Sequence, residues 1–200
     1  MPTKKSKYDK NAFYFFTITC YKWLQLFEIT NFYDHIYNWF DILKYYGVKI
    51  VSYVIMPNHL HAIIFVPDNI KIKLRNDKQE VKIAYANRLI GTGKRFMAYE
   101  IVKRLKKNNQ KNILNILREG VDKLQSKKGK LHQVFQPSFD LKILLTEKFL
   151  VQKINYIHKN PITKKWNLAD DYRNYKYSSA GFYELEKYQG YEIEHYLKVL

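Results

Sequence analysis

The sequence lacks the features that several large classes of protein require. Cysteine occurs once in 200 residues, at Cys20, so no intrachain disulfide can form and a reducing compartment is expected. No apolar run approaches the roughly 20 residues that span a bilayer. The first ten residues are basic and polar, without the apolar segment of a signal peptide. We therefore expect a cytoplasmic protein with no membrane partner.

Acidic residues are also scarce. The chain has 18 Asp and Glu against 35 Lys and Arg, which gives a formal net charge of +17. A surface with this charge attracts polyanions, of which nucleic acid is the first candidate and an anionic membrane surface the second. Aromatic residues make up 16% of the chain, far more than a disordered basic tail contains. Aromatic rings beside cations are also suited to stacking on unpaired bases.

The length predicts one domain over residues 1–200, because 200 residues with 46% hydrophobic content can form one sizeable core. Within it we distinguish a basic helical insertion over about 91–130 and a C-terminal tail over about 161–200. The insertion holds 12 Lys or Arg and three acids between Lys94 and Lys130.

Hydrophobic periodicity predicts an α+β fold, an antiparallel sheet with helices packed on one face. We expect strands over 12–21, 48–56, 59–66 and 140–145, and helices over 31–46, 79–98 and 147–160. The helix over 79–98 is expected to be interrupted at Gly91-Thr92-Gly93, further helix is expected in the basic stretch, and 126–130 is expected to be a loop or a disordered link. Thr146 is a suitable N-cap for the last helix, and Pro161 predicts its end near Asn160.

Two histidines stand two residues apart at the start of a predicted strand. Because side chains alternate along a strand, His59 and His61 share one face. Two imidazoles on one rigid face provide half of a metal site. A His-x-His pair alone is weak evidence, but here a Pro57-Asn58 turn precedes it and an apolar strand follows.

A tyrosine and an asparagine stand four residues apart on the last predicted helix. Tyr156 and Asn160 therefore project from the same face, one turn apart. A phenol can act as a nucleophile, and an amide oxygen can complete a metal site beside it. Without the histidine pair, an ordinary packing tyrosine would be the better interpretation.

Taken together, these motifs resemble those of a known family. The stretch Met56–His61, which reads MPNHLH, resembles the HUH motif of single-tyrosine transposases. Tyr156–Ile162, which reads YIHKNPI, resembles the tyrosine helix of the REP-associated tyrosine transposases within that family. Phe135–Asp140 and Tyr175–Ser179 resemble two further family landmarks, with Tyr177 where tryptophan is commoner. The resemblance runs from about Phe13 to Phe182, although the segment 91–130 is longer and more basic than the family pattern.

The resemblance implies a ferredoxin-like antiparallel sheet with an HUH endonuclease core. It further implies that Tyr156 is the nucleophile and that His59, His61 and Asn160 hold Mg²⁺ or Mn²⁺. The expected reaction cleaves and rejoins single-stranded DNA at hairpin or palindromic sites through a 5′-phosphotyrosine intermediate. The partner is then single-stranded DNA with hairpins, and the protein works as a monomer or a homodimer.

The basic stretch and the tyrosine helix supply the expected DNA contacts. These predicted DNA-binding residues are Lys94, Arg95, Lys103, Arg104, Lys106, Lys107 and His158. We favour DNA contact or an exposed position over a general-base role for His158, because it points away from the Tyr156 face.

Three alternatives compete with the transposase interpretation. A replication initiator or relaxase would use the same strand chemistry, but the chain has no Gly-x-x-x-x-Gly-Lys-Ser/Thr motif for an associated helicase. A structural zinc protein would need more cysteines and four closed ligands. A catalytically silent or domesticated sequence-specific DNA-binding protein would be expected to have lost one of the four site residues.

Overall fold

The computed structural model describes residues 11–67, 71–73, 80–82, 86–187 and 190–199, with the side chains of 71–73 and 80–82 left out of the description. Its strands are β1 (Ala12–Thr19), β2 (Lys49–Met56), β3 (His59–Val66), β4 (Lys71–Lys73), β5 (Glu80–Lys82) and β6 (Lys142–Leu144). Its α-helices are α1 (Leu26–Ile29), α2 (Tyr33–Tyr45), α3 (Ala86–Lys107), α4 (Lys111–Glu119), α5 (Lys123–Lys127), α6 (Glu147–Lys159) and α7 (Ala180–Leu185).

The centre of the fold is a four-stranded sheet in the order β2-β3-β1-β6. All three neighbouring pairs are antiparallel, and β4 and β5 form a separate small hairpin. This is the predicted α+β class with a ferredoxin-like strand order, in which α2 and α3 are the crossover helices. The Pro57-Asn58 turn joins β2 to β3 as expected.

The helices cover both faces of the sheet, which corrects the expectation of one covered face. Alternate residues of β1 enter two different cores: Tyr14, Phe16 and Ile18 pack with residues of α2 and α3, whereas Phe13 and Phe15 pack with α6. Strand alternation makes this possible because successive side chains of a strand point to opposite faces, and β1 carries aromatic residues on both. The crossover helices thus occupy one face, and α6 occupies the other.

The predicted helix over 79–98 is wrong in its boundaries. Residues 80–82 are a strand, the helix begins at Ala86, and positions 79 and 83–85 lie outside the described residues. The helix then continues through Gly91-Thr92-Gly93 to Lys107 without the predicted interruption. Tertiary packing overrides the low helix propensity of glycine here, because Gly93 is buried against the Trp39 ring and a Cβ would clash with it.

The basic segment is more ordered than the sequence suggested. Its helices are the second half of α3, α4 and α5, and α5 covers part of the predicted loop at 126–130. Asp122 caps α5 by accepting a hydrogen bond from the Gln125 amide at 2.8 Å. No helix in the described part of the chain has the length and apolarity that crossing a bilayer requires.

Two further elements position the functional face. Thr146 caps α6 by accepting a hydrogen bond from the Phe149 amide, as predicted from its place before Glu147. The Tyr175–Ser179 segment pairs with the free edge of β2, where the Ile55 amide donates to the Tyr177 carbonyl at 2.8 Å. That segment therefore ties the C-terminal tail to the sheet.

Candidate functional site

The two histidines of β3 lie side by side on the sheet face that α6 covers. His59 and His61 are buried, with 3% and 6% of their surface exposed, and their ring centroids are 4.7 Å apart. Strand geometry places them on one face, as the sequence predicted.

A different polar neighbour orients each imidazole. Nδ1 of His59 donates to Oδ1 of the adjacent Asn58 at 2.7 Å. Nδ1 of His61 shares a 2.7 Å hydrogen bond with Oγ1 of Thr17, which stands directly opposite His61 in the β1–β3 register. Because both Nδ1 atoms are engaged, the Nε2 atoms remain for a ligand, as in metal sites whose histidines are oriented by an outer shell.

Burial keeps both imidazoles neutral. It lowers the pKa of His59 to about 4, against a smaller opposing effect of the Asn160 side chain. It also lowers the pKa of His61 well below its ordinary value, and electrostatic interactions with His59 and Lys153 act in the same direction. A neutral imidazole has the free lone pair that metal coordination needs.

Helix α6 brings the tyrosine and the asparagine to these histidines. Its apolar side, formed by Leu150, Ile154 and Ile157, packs on the sheet. Tyr156 consequently points along the sheet surface with 48% exposure, and its ring centroid lies 5.2 Å from that of His61. The sequence motifs that were predicted to cooperate are therefore in contact.

Asn160 supplies an unsatisfied polar atom to the same place. The residue is buried, and its Oδ1 has no hydrogen-bond partner within the part of the chain that the structure describes. The Asn160 side chain also raises the pKa of His59 against the effect of burial, so the amide lies beside that imidazole. Among the described residues, no cluster of three or more His, Cys, Asp and Glu side chains is suited to a metal. A metal here would therefore be held by two imidazoles and one amide oxygen, a set that suits a divalent ion.

Lys153 is a functional candidate that the sequence analysis missed. Its Nζ lies 5.1 Å from the Tyr156 ring centroid and 4.8 Å from that of Phe15. The ammonium group therefore stands beside the phenol, where an anionic phosphate would have to approach. Helical spacing could have identified it, because Lys153 precedes Tyr156 by three residues.

His158 is not the exposed DNA contact that was expected. It is fully buried between α6 and β2, and its Nε2 lies 2.9 Å from Oγ of Ser179 and 3.2 Å from Oγ of Ser52. Burial lowers the pKa of His158 to about 3. The His158 side chain points away from Tyr156, as predicted. It points toward the protein interior because it lies on the apolar side of α6. The residue joins α6, β2 and the tail.

Two of the predicted DNA-binding cations are engaged within the protein. Lys94 Nζ donates to the carbonyl oxygens of Gln136, Pro137 and Ser138, and burial lowers the pKa of Lys94 to about 8. Arg104 makes a two-pronged ion pair with Asp34 at 2.9 Å and a second ion pair with Glu100. Both residues connect α3 to neighbouring segments, and their contact with DNA stays a prediction.

The other predicted cations of α3 are exposed and remain candidates. Arg95 and Lys106 line a cavity of about 660 Å³ between α3 and the segment 128–139, together with Lys128 and the ring of Tyr99. Lys103 and Lys107 lie on a different side of α3, near Glu100 and Arg104, and Lys103 pairs with Glu100 at 3.2 Å. The structure thus separates one continuous charge run into two surfaces.

Comparison with solved structures identifies one with a similar fold. A solved structure of a REP-associated tyrosine transposase bound to a REP hairpin superposes with a TM-score of 0.51 and 15% identity, over 97% of this chain and 93% of that one. The chain has the fold of a REP-associated tyrosine transposase. The ferredoxin-like sheet and HUH core implied by the sequence resemblance are confirmed by this match.

The remaining comparisons give less information about the fold of this chain. A Haemophilus influenzae protein described as uncharacterized is 29% identical over 171 residues, 80% of this chain and 85% of that protein. A Deinococcus radiodurans structure, described provisionally as a transposase, covers 78% of this chain and 95% of its own, with 16% identity and a TM-score of 0.36. The latter score is too low to support a structural argument. No family model matches the chain.

Proposed function

We propose that this protein is a metal-dependent DNA transposase that cleaves and rejoins single-stranded DNA at hairpin sites through a 5′-phosphotyrosine intermediate. The observation that carries the proposal is the 5.2 Å separation of the Tyr156 and His61 rings. An accessible phenol beside two neutral, buried imidazoles is a combination that a packing tyrosine does not require.

His59, His61 and Asn160 would hold Mg²⁺ or Mn²⁺. The unpartnered Oδ1 of Asn160 and the two neutral imidazoles fit such an ion. When bound, the ion would withdraw charge from the scissile phosphate and fix its orientation. The outer-shell contacts of Thr17 and Asn58 hold the two imidazoles in the orientation that this role needs.

Tyr156 would form the covalent link. Its phenolic oxygen attacks the phosphorus and loses its proton, the bond from phosphorus to the 3′ oxygen breaks, and that oxygen leaves as a 3′-hydroxyl after taking up a proton. The 5′ end of the other fragment stays attached to the tyrosine. A second 3′-hydroxyl can then attack the phosphotyrosine and release Tyr156, so strands are rejoined without an external energy source.

Lys153 would support this step electrostatically. Its ammonium group, 5.1 Å from the Tyr156 ring centroid, can pair with a phosphate oxygen as charge builds up in the transition state. Arg95, Lys106 and Lys128 would bind the rest of the DNA through its backbone. The REP hairpin in the similar solved structure makes a hairpin the first substrate to test.

The decisive experiment is a covalent-adduct assay on hairpin oligonucleotides with single-stranded flanks. We expect the wild-type protein with Mn²⁺ to yield a slower-migrating band on a denaturing gel when the label is on the fragment downstream of the cut. The Tyr156→Phe variant should bind the same DNA and give no band, whereas the matched variant Tyr45→Phe, at an exposed tyrosine of α2, should behave as wild type. If the wild type binds hairpins but forms no adduct on any flank sequence, the protein is a catalytically silent DNA-binding protein instead.

A further inference from the structure

Two of the three tryptophans of the chain stand beside the candidate metal site. The ring centroids of Trp23 and Trp166 lie 5.7 and 5.2 Å from that of His59 and 6.0 Å from each other. The third, Trp39, is buried in the core with 6% exposure. Trp23 is 48% exposed, although a large aromatic ring would normally lose much of its surface on folding.

A lysine completes this aromatic surface, in which Trp23 is exposed and Trp166 is half-buried. We call it the tryptophan platform (Trp23, Lys165 and Trp166). Lys165 Nζ lies 4.2 Å from the Trp23 ring centroid and 4.7 Å from that of Trp166. Aromatic rings can stack on the base of a nucleotide in a single strand, and a lysine beside them can bind its phosphate.

The backbone that presents Trp23 is strained. Lys22 and Trp23 have φ values of 51° and 58°, so two successive residues with bulky side chains occupy the left-handed region. Such a conformation is unfavourable for a residue other than glycine and persists only when its surroundings impose it. In this conformation the Trp23 ring lies outside the core, with its centroid 5.7 Å from that of His59.

One side chain connects the platform to the candidate metal ligand. Asn58 Nδ2 donates to the Trp23 carbonyl at 3.0 Å, and its Oδ1 accepts the hydrogen bond from His59 Nδ1. Asn58 is itself buried. The position of the Trp23 backbone and the orientation of the His59 imidazole are therefore set by the same amide group.

We infer that the tryptophan platform stacks an unpaired nucleobase next to the scissile phosphate. The base lies on the exposed face of Trp23, and Lys165 moves from the rings to an adjacent phosphate oxygen. The inference rests on the proposed function, because it takes the phosphate at His59 and His61 as the scissile one. Stacking on a π face tolerates any base, so the platform orients the strand and does not select its sequence.

The test uses the intact protein and intrinsic tryptophan fluorescence, titrated with a ten-nucleotide oligothymidylate in EDTA so that cleavage cannot contribute. We expect the DNA to quench the wild-type fluorescence. The double variant Trp23→Phe/Trp166→Phe, which keeps only the buried Trp39, should bind without quenching. Trp23→Ala should weaken binding about 5- to 150-fold, the range for loss of one stacked base, and Trp23→Phe should restore most of it. Lys165→Gln should lower the log–log salt slope by about 0.7.

The outcomes separate this inference from the proposed function. If the wild type forms the Tyr156 adduct while Trp23→Ala and Trp23→Phe bind equally well, and the wild-type fluorescence is unchanged by DNA, the platform assignment is wrong. If no adduct forms but Trp23→Ala loses affinity that Trp23→Phe regains, the platform stands and the proposed cleavage fails. The melting temperature of each variant shows whether a loss of affinity reflects unfolding. If Trp23→Ala does not fold, the fluorescence of the double Phe variant still tests the platform.

Discussion

Thr17 and His61 face each other across the β1–β3 pair, with Oγ1 of the threonine 2.7 Å from Nδ1 of the histidine. This contact leaves the opposite nitrogen of His61 to face the candidate site. A single hydroxyl on a neighbouring strand therefore fixes the orientation of a proposed metal ligand.

Replacing Thr17 should weaken metal binding without removing a ligand. Thr17→Val keeps the shape of the side chain and its β-branching but loses the hydrogen bond, so we expect Mn²⁺ affinity to fall about 10- to 100-fold, as for other outer-shell contacts of metal-bound histidine. Isothermal titration calorimetry with Mn²⁺ measures the change. Thr92→Val, at an exposed position on α3, is the matched control and should bind as wild type; equal affinity of the two variants would mean that Thr17 does not support the site.

Asn160 should behave as a ligand that a carboxylate can replace. Asn160→Ala removes the unpartnered oxygen, and we expect a loss of Mn²⁺ affinity at least as large as the roughly 100-fold upper range of an outer-shell change. Asn160→Asp supplies an anionic oxygen at the same place and should bind Mn²⁺ at least as well as wild type. The electron paramagnetic resonance signal of Mn²⁺ in solution measures the free ion, and the bound fraction follows by difference from the total. If Asn160→Ala binds Mn²⁺ normally, the amide belongs to the packing of α6 alone.

The exposed cations of the α3 cavity should account for much of the salt dependence of DNA binding. Neutralising Arg95, Lys106 and Lys128 removes three charges that line one cavity, and we expect the log–log salt slope on single strands to fall by about 2, at roughly 0.7 for each phosphate contact. Fluorescence anisotropy at four salt concentrations measures the slope.

The matched control for that variant is Lys103→Ala/Lys107→Ala/Lys111→Ala, which removes the same charge from the same region. Lys103 already pairs with Glu100, so we expect a smaller change in slope. Equal slopes for the two triple variants would show that DNA responds to the total charge of the basic segment and not to the cavity.

Lys94 should affect folding more than DNA binding. Burial lowers its pKa to about 8, so between pH 8 and the ordinary lysine pKa near 10.5 the unfolded chain holds a proton that the folded chain has lost. The unfolded state then binds more protons, and the free energy of unfolding that depends on Lys94 rises with pH. Urea denaturation at pH 7.5 and 9.5 should show the wild type gaining stability relative to Lys94→Met at the higher pH. A constant difference between the two proteins would contradict the lowered pKa.

Local sequence patterns predicted those helices and strands whose ends depend only on residues close by in the chain. The aromatic and β-branched runs of β1, β2 and β3 and the Thr146 cap before α6 appear in the structure nearly as predicted. The helix interruption at Gly91-Thr92-Gly93 was wrong because Gly93 is needed for contact with Trp39, and that residue belongs to another helix. Helix propensity depends on a residue and its neighbours in sequence, so it does not include a contact with a residue of another helix.

The candidate site divides in the same way between sequence and tertiary structure. Strand alternation by itself put His59 and His61 on one face, and helical spacing put Tyr156 and Asn160 together, because both periods are properties of the local backbone. Only the sheet order and the packing of α6 decided that these two pairs meet and that His158 points inward. The packing of α3 against α2 and the 136–138 segment decided that Lys94 and Arg104 are engaged within the protein. Thr17, Asn58, Trp23 and Trp166 join the site through strand register and a strained loop, which depend on contacts between segments far apart in the chain.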